Sequence, residues 1–300
     1  VHLIGRGSSV QPILERLARP GVLVADGATG TNLQRMGLAR GVAPETWVTE
    51  RPEAIRALHR SFLDAGSDLV LTCTFGGTRL RLQHAGLADR VVELNRRAAE
   101  LARAEADGRA YVAGDMGPTG ALLEPLGDLP YEEAVEAFAE QAEGLIQGGV
   151  DLLYIETMSD LREVQAAMEG ARRVSDLPIF VTMSFDMGGF TMMGVRPEEA
   201  VNAILGWGAA AVGANCGRAL DEMEAVIAAM HAARPDALLI AKPNAGLPEI
   251  AEDDSVVYKV TPEEMAAYAR RYVALGARIV GGCCGSTAEH VAAIAKAVKG

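Results

Sequence analysis

Short runs rich in Val, Ile and Leu alternate with longer segments of helical period along most of the chain. The apolar runs end in Gly, Asp, Thr or Cys, residue types suited to the point where a strand leaves a sheet. The pattern predicts strands over 22–26, 68–75, 110–117 and 151–157 in the first half, and over 178–185, 210–215, 238–243 and 277–282 in the second. The clearest helix lies between the third and fourth strands. There Tyr131, Val135, Phe138, Ala142, Leu145 and Ile146 share one face, while Glu132, Glu133, Glu136 and Glu140 fall off it as a solvated acidic face. Two further helix starts carry the spacing of a capping box: Thr261-x-x-Glu264, with Pro262 in the first turn, and Ser286-x-x-Glu289.

Near-continuous apolar strands, each followed by a helix, describe a parallel sheet covered on its outer face. Eight such units are enough to close a barrel. The predicted α/β fold is therefore a single (β/α)8 TIM barrel over residues 21–300, with residues 1–20 as an N-terminal extension packing on it. An open doubly wound sheet is the alternative, but its first strand would lead into a G-x-G-x-x-G phosphate loop. Here that position reads Asp26-Gly27-Ala28-Thr29-Gly30, and no G-x-x-x-x-G-K-[ST] occurs anywhere. No linker-like or low-complexity stretch divides the chain, so its 300 residues read as one large domain rather than two ordinary ones.

Composition narrows the class. Apolar residues make up 49%, charged ones 23% and aromatics 5%, with 33 glycines, which excludes disorder and collagen. The net charge of −12 argues against a nucleic-acid partner, since phosphate binding needs an excess of Lys and Arg. No apolar run approaches the roughly 18 residues that span a bilayer, and residues 1–11 lack the apolar core of a signal peptide. The expectation is a cytoplasmic protein without a membrane partner. The four cysteines, Cys73, Cys216, Cys283 and Cys284, are too few for a disulfide scaffold in a chain of this length.

Chemistry in such a barrel sits at the carboxyl ends of the strands. All four cysteines lie there, in Thr72-Cys73-Thr74-Phe75, Asn215-Cys216-Gly217 and Gly282-Cys283-Cys284-Gly285. Cys73 has no neighbour to chelate with and reads as a small buried hydrophobe. Cys216, Cys283 and Cys284 sit on strands six and eight, whose ends converge on the barrel mouth. The glycines around the adjacent pair permit an irregular backbone that aims both sulfurs at one point. A vicinal disulfide is the other option, disfavoured in a reducing cytosol.

Three sulfur ligands and an open fourth position fit a catalytic zinc. Three thiolates on Zn²⁺ leave a formal charge of −1, which makes metal-assisted hydrolysis the weaker reading, and H-E-x-x-H is absent. The chemistry best suited to this centre is alkyl transfer onto a substrate thiol, ionised by the metal yet still electron-rich. Such a substrate needs handles. Glu156 could hold an ammonium group, or form a salt bridge within the barrel. The backbone N–H groups of Gly27, Ala28 and Thr29 could take a carboxylate. Asp26 either binds substrate or caps the glycine turn.

These residues resemble the homocysteine-binding zinc methyltransferases. The likeness runs from Asp26-Gly27-Ala28-Thr29-Gly30-Thr31, through Gly114-Asp115-Met116-Gly117-Pro118-Thr119-Gly120 and Glu156-Thr157, to Gly281-Gly282-Cys283-Cys284-Gly285. The resemblance implies that Cys216, Cys283 and Cys284 ligate zinc, with Asp26 and Glu156 positioning the amino-acid end of homocysteine. Asn244 matches a residue that in relatives approaches zinc when homocysteine is absent. The polar strand ends add Thr74 and Ser184 to the expected substrate contacts. Within the family the chain is most similar to the homocysteine module of the cobalamin-dependent methionine synthase branch, through Thr74-Phe75-Gly76-Gly77-Thr78-Arg79-Leu80 and Lys242-Pro243-Asn244-Ala245-Gly246. Where the betaine-using branch has a tyrosine, this chain has Gly76. Its lone nearby Trp47 reads as packing rather than as part of a cation box. Cys73 stands where relatives usually carry a small polar residue such as Asn.

The resemblance further implies that homocysteine is ionised on zinc and methylated to methionine, with methylcobalamin as donor. Corrinoid-binding and folate-binding domains or subunits are then the implied partners. Two alternatives stay open: a stand-alone homocysteine methyltransferase using S-methylmethionine or betaine, and a barrel whose zinc is structural. Val1 in place of an initiating methionine favours a module of a longer enzyme.

Overall fold

The structure is a computed structural model that describes residues 11–251 and 256–300. Ten strands are found among them: β1 (Leu23–Val24), β2 (Leu69–Leu71), β3 (Tyr111–Met116), β4 (Leu152–Met158), β5 (Ile179–Met183), β6 (Ala211–Cys216), β7 (Leu239–Pro243), β8 (Glu249–Ile250), β9 (Val256–Val257) and β10 (Ala277–Val280). Eight of these form one parallel sheet in the order β1-β10-β7-β6-β5-β4-β3-β2. The ring is completed by a parallel bridge between Ala25 and Leu69, with Asp68 N–H donating to Val24 O and Asp26 N–H to Leu69 O. The helices that alternate with the strands include Pro52–Asp64, Val91–Ala106, Tyr131–Gln147, Leu161–Val174, Pro197–Gly206, Leu220–Ala233, Pro262–Ala274 and Ala288–Lys299. The predicted (β/α)8 barrel is thus the fold observed.

Side-chain alternation explains the two cores. Along β3, Tyr111 and Ala113 point into the barrel while Val112 and Met116 face the helices; along β4, Leu152 and Tyr154 point in while Leu153 and Ile155 face out. The interior is filled by Leu69, Leu71, Tyr154, Phe180, Ile240 and Ile279, with the Tyr154 and Phe180 rings packed edge to face at 6.2 Å. Ile13 and Leu17, from the helix Ile13–Leu17, join the same interior cluster. Of the expected extension over 1–20, residues 1–10 lie outside the described residues. No helix among the described residues is long and apolar enough to cross a membrane.

The helix Tyr131–Gln147 buries Val135, Phe138, Ala142 and Leu145 and exposes Glu132, Glu133 and Glu136, as its period predicts. The first capping box is present, with Glu264 N–H donating to Thr261 Oγ1 and Thr261 N–H to the Glu264 carboxylate. The second is corrected. The last helix is capped by Thr287, with His290 rather than Glu289 as its reciprocal partner. Ser286 is unavailable because its hydroxyl donates to Cys283 O and accepts from Ala28 N–H, holding the cysteine turn instead. The antiparallel pairing of β8 with β9 has no sequence signal, since two-residue strands leave no readable period.

Candidate metal and substrate site

Cys216 ends β6, and Cys283 and Cys284 form the turn after β10. Their three sulfurs lie within 4.8 Å of one another, and Cys216 Sγ is 3.0 Å from Cys283 Sγ. The turn depends on glycines in two different ways. Gly285 has φ +79, the left-handed region that glycine enters without a Cβ clash. Gly281 and Gly282 have ordinary φ, but a Cβ there would meet the Ala25 Cβ and Asp26 carbonyl at 2.9 Å, and Ser286 Oγ at 2.3 Å. They serve close approach between β10 and the chain after β1.

Two asparagines hold the sulfurs in place. Asn215 Nδ2 donates to Thr157 Oγ1 at 2.7 Å, and Thr157 N–H donates to Asn215 Oδ1 at 2.9 Å, which locks the ends of β4 and β6 together. The same Nδ2 lies 3.6 Å from Cys283 Sγ. Thr157 and Cys216 both sit in left-handed backbone, at φ 61 and φ 59, a conformation that costs non-glycine residues on the order of 1–3 kcal/mol each. Asn244 Nδ2 donates to Gly217 O at 2.8 Å and its Oδ1 accepts from Cys284 N–H at 2.9 Å. Asn244 therefore clamps the two cysteine turns to each other through both ends of its amide.

The donor set fits a thiophilic cation. A tetrahedral zinc with Zn–S bonds of about 2.3 Å sets its sulfurs about 3.8 Å apart. The Cys216–Cys283 pair, 3.0 Å apart, opens by about 0.8 Å to match. Without metal the three thiols share protons: hydrogen bonds from Cys216 and Cys283 pull Cys284 down to about 4, while hydrogen bonds with Cys283 and Cys284 push Cys216 well up. A cluster holding part of its protons at neutral pH releases them when a divalent cation binds.

Below the sulfurs, a cavity of about 560 Å³ is lined by Gly27, Ala28, Thr29, Thr74, Asp115, Glu156, Lys242 and the three cysteines, among others. Alternation sends Glu156 into it from β4, above Leu152 and Tyr154. Glu156 is 8% exposed, and its Oε2 is buried without a partner. Burial, only partly opposed by the charge of Lys242, pushes its carboxyl up to about 8. Asp26 is differently employed. Its Oδ2 accepts from Leu71 N–H at 2.7 Å and its Oδ1 lies 3.2 Å from Lys242 Nζ.

The other expected contacts divide. Thr74 lines the cavity, but its hydroxyl donates to Asp115 O at 2.7 Å. Ser184 does not line it, and its hydroxyl donates to Asp186 Oδ2 at 2.6 Å. Among the glycine-turn amides, Ala28 N–H is taken by Ser286 Oγ at 3.1 Å, which leaves those of Gly27 and Thr29. Cys73 is buried and lines the cavity too, but stands outside the sulfur cluster. Lys242 and Asp115 stand in the sequence only as members of matched stretches, and Glu45 in none; all three line the cavity. Glu45 is 3% exposed, lines the cavity and accepts from Gly76 N–H at 2.6 Å. The period-two register of β3 and β7 was the signal for the first two; Glu45, in the long connection after β1, left none.

Fold and site define a (β/α)8 barrel with a metal-capable three-cysteine centre at its catalytic face. The sequence profile of the homocysteine S-methyltransferase family matches residues 23–298, and the chain belongs to that family of methyltransferases. Methionine synthase of Mycobacterium leprae (strain TN) is 34% identical over 306 residues, covering 95% of this chain and 25% of that protein. Methionine synthase of Mycobacterium tuberculosis (strain ATCC 25618 / H37Rv) is 33% identical over 297 residues, covering 92% and 24%. The chain spans about a quarter of the length of these curated relatives. Among solved structures, the metallated homocysteine methyltransferase MmuM of Escherichia coli superposes with a TM-score of 0.81 at 23% identity, covering 95% of this chain and 99% of that one. Its oxidized form gives 0.78 at 25% identity, with the same coverage.

Proposed function

We propose that this chain methylates the thiol of homocysteine to form methionine, at a zinc ion held by Cys216, Cys283 and Cys284. We further propose that it is the homocysteine module of a methionine synthase of the cobalamin-dependent type, working in the cytoplasm, where thiols stay reduced. The donor is then methylcobalamin, presented by a corrinoid-binding domain or subunit and renewed through a folate-binding one. The observation that carries this reading is the convergence of three sulfurs within 4.8 Å at the head of a cavity that also holds an unpaired buried carboxylate.

When bound, zinc keeps a coordinated substrate thiol ionised at neutral pH without removing its nucleophilicity. The chain's own residues supply the rest. Glu156 accepts the substrate ammonium group, and the N–H groups of Gly27 and Thr29 receive its carboxylate. Asn215 and Asn244 fix the cysteine turns, so the substrate sulfur is presented toward the open mouth. The packed floor of Tyr154 and Phe180 excludes water from below. A carbon–sulfur bond forms as the donor keeps the electron pair of the bond it gives up, and the thiol proton passes to solvent.

A second reading, a stand-alone enzyme using S-methylmethionine, is favoured by the size of the cavity, about 560 Å³, which leaves room for a small donor beside the thiol. A donor screen separates the two. Zinc-loaded chain is assayed for methionine formation from homocysteine with methylcobalamin, S-methylmethionine and betaine in parallel. Turnover with methylcobalamin alone is expected. Turnover with S-methylmethionine alone replaces the first reading by the second, and no turnover with any donor overturns the assignment of methyl transfer to this chain.

A further inference from the structure

Asp115 is a buried acid that the proposed function leaves without a role. It follows Tyr111 and Ala113 on the inward face of β3, one strand away from Glu156 on β4, and it is 3% exposed. Its backbone is fixed on both sides. The N–H donates to Thr72 Oγ1 at 2.9 Å, and the carbonyl accepts from Thr74 Oγ1 at 2.7 Å and from Gln141 Nε2 at 3.2 Å. In the carboxylate that this frame presents, Oδ1 is buried without a hydrogen-bond partner, although the side chain lines the cavity. Glu156 Oε2 is in the same condition.

Unpaired buried carboxylates are costly, and a fixed backbone that carries two of them on neighbouring strands is a frame awaiting a cation. Lys242 does not fill that role, because its ammonium lies against Asp26, which it pairs at 3.2 Å. Three carboxylates thus face one lysine. Burial and the charge of Glu156 raise the Asp115 carboxyl well above its ordinary value, as expected of a group missing its counter-charge. A metal ion is a poor fit, since no third His, Cys, Asp or Glu side chain joins these two acids in a ligand cluster among the described residues. An ammonium group, with three N–H donors spread around one charge, suits two carboxylates from adjacent strands.

We propose that Asp115 and Glu156 together form a two-carboxylate receptor for the ammonium group of the amino-acid thiol. This rests on the homocysteine reading above and adds a second acid to it. Asp115 is then a specificity residue: it rejects thiols that lack the amine, because binding them leaves both acids unpaired. Glu156 alone cannot impose that selectivity as strongly.

The test compares homocysteine with 4-mercaptobutanoate, which keeps thiol and carboxylate but lacks the amine, by calorimetric titration of the zinc-loaded chain. Wild type is expected to prefer homocysteine by roughly tenfold or more, the scale of hydrogen bonds to a charged group. Asp115→Asn, nearly isosteric, should lose most of that preference by weakening homocysteine while leaving 4-mercaptobutanoate within about twofold. Asp115→Glu, which keeps the charge, should retain more of the preference than Asp115→Asn. A wild type that binds homocysteine, with a preference unchanged in Asp115→Asn or with both ligands weakened equally in both variants, overturns the role of Asp115 alone. A wild type that binds neither thiol overturns the homocysteine reading and the inference together.

Discussion

Lys242 Nζ lies 3.2 Å from Asp26 Oδ1 at the top of the barrel, with both side chains at most 3% exposed. Asp26 also accepts the Leu71 N–H, so one carboxylate ties the end of β1 to β2 and to β7 across the seam where strand pairing is thinnest. Burial alone would favour neutral Lys242, but the charges of Asp26 and Glu156 hold it protonated. Replacing Lys242 by Met should destabilise the chain by about 3–5 kcal/mol, because it leaves buried acids without their cation. Urea unfolding measures this. A loss below about 1 kcal/mol would show the pair to be dispensable.

Asn215 restrains Thr157 in left-handed backbone and stands beside Cys283. Outer partners of this kind typically tune metal affinity by about 10–100-fold. Asn215→Ala should weaken zinc binding by that factor in competition with a chelator, without changing the metal-to-protein ratio at saturation. Unaltered affinity would mean that the cysteine turns hold their geometry unaided.

Glu156 gives the metal-free chain a defined pH response. Its folded carboxyl lies near 8 against an ordinary 4.5, raised first by burial, lowered by Lys242 and raised again by Cys283 and Asp26. At pH values below the ordinary one, both folded and unfolded chains hold the proton. Between about 4.5 and 8 the unfolded chain has released it and the folded chain has not, so stability falls as pH rises through that window and then levels. Glu156→Gln should flatten this fall, as read from chemical denaturation at pH 5 and pH 8. An identical slope in both proteins would remove Glu156 from the account.

Gly285 combines φ +79 with a ring in contact: a Cβ would sit 2.1 Å from Tyr258 Cγ. Gly285→Ala should therefore displace the Cys284 turn, lowering both zinc affinity and melting temperature. The double variant with Tyr258→Ala relieves the clash but not the dihedral, so it should recover only part of the loss.

The barrel was legible because period-two alternation and the strand–helix repeat are local signals, and the Cys216, Cys283 and Cys284 cluster followed from knowing that strand ends share a mouth. Thr261 announced its cap correctly. Ser286 misled, since the same residue type that caps a helix was recruited 258 positions away by Ala28. Asp26 reads locally as a substrate contact or as a cap of the glycine turn, and no local pattern reveals its pairing with Lys242, 216 residues on. Asp115 is placed on the inward face by register, two residues beyond Ala113, but no local signal tells that its carboxyl lacks a partner. Asn244 became a clamp only when Gly217 and Cys284 were found on either side of its amide.

On the proposed reading, the three cysteines hold zinc and leave one position for the substrate sulfur. Zinc-edge X-ray absorption on the metal-loaded chain, recorded with and without homocysteine, tests it most directly. Three sulfurs and one lighter ligand are expected around zinc before homocysteine is added, and four sulfurs at about 2.3 Å afterwards. A first shell that homocysteine leaves unchanged would contradict it.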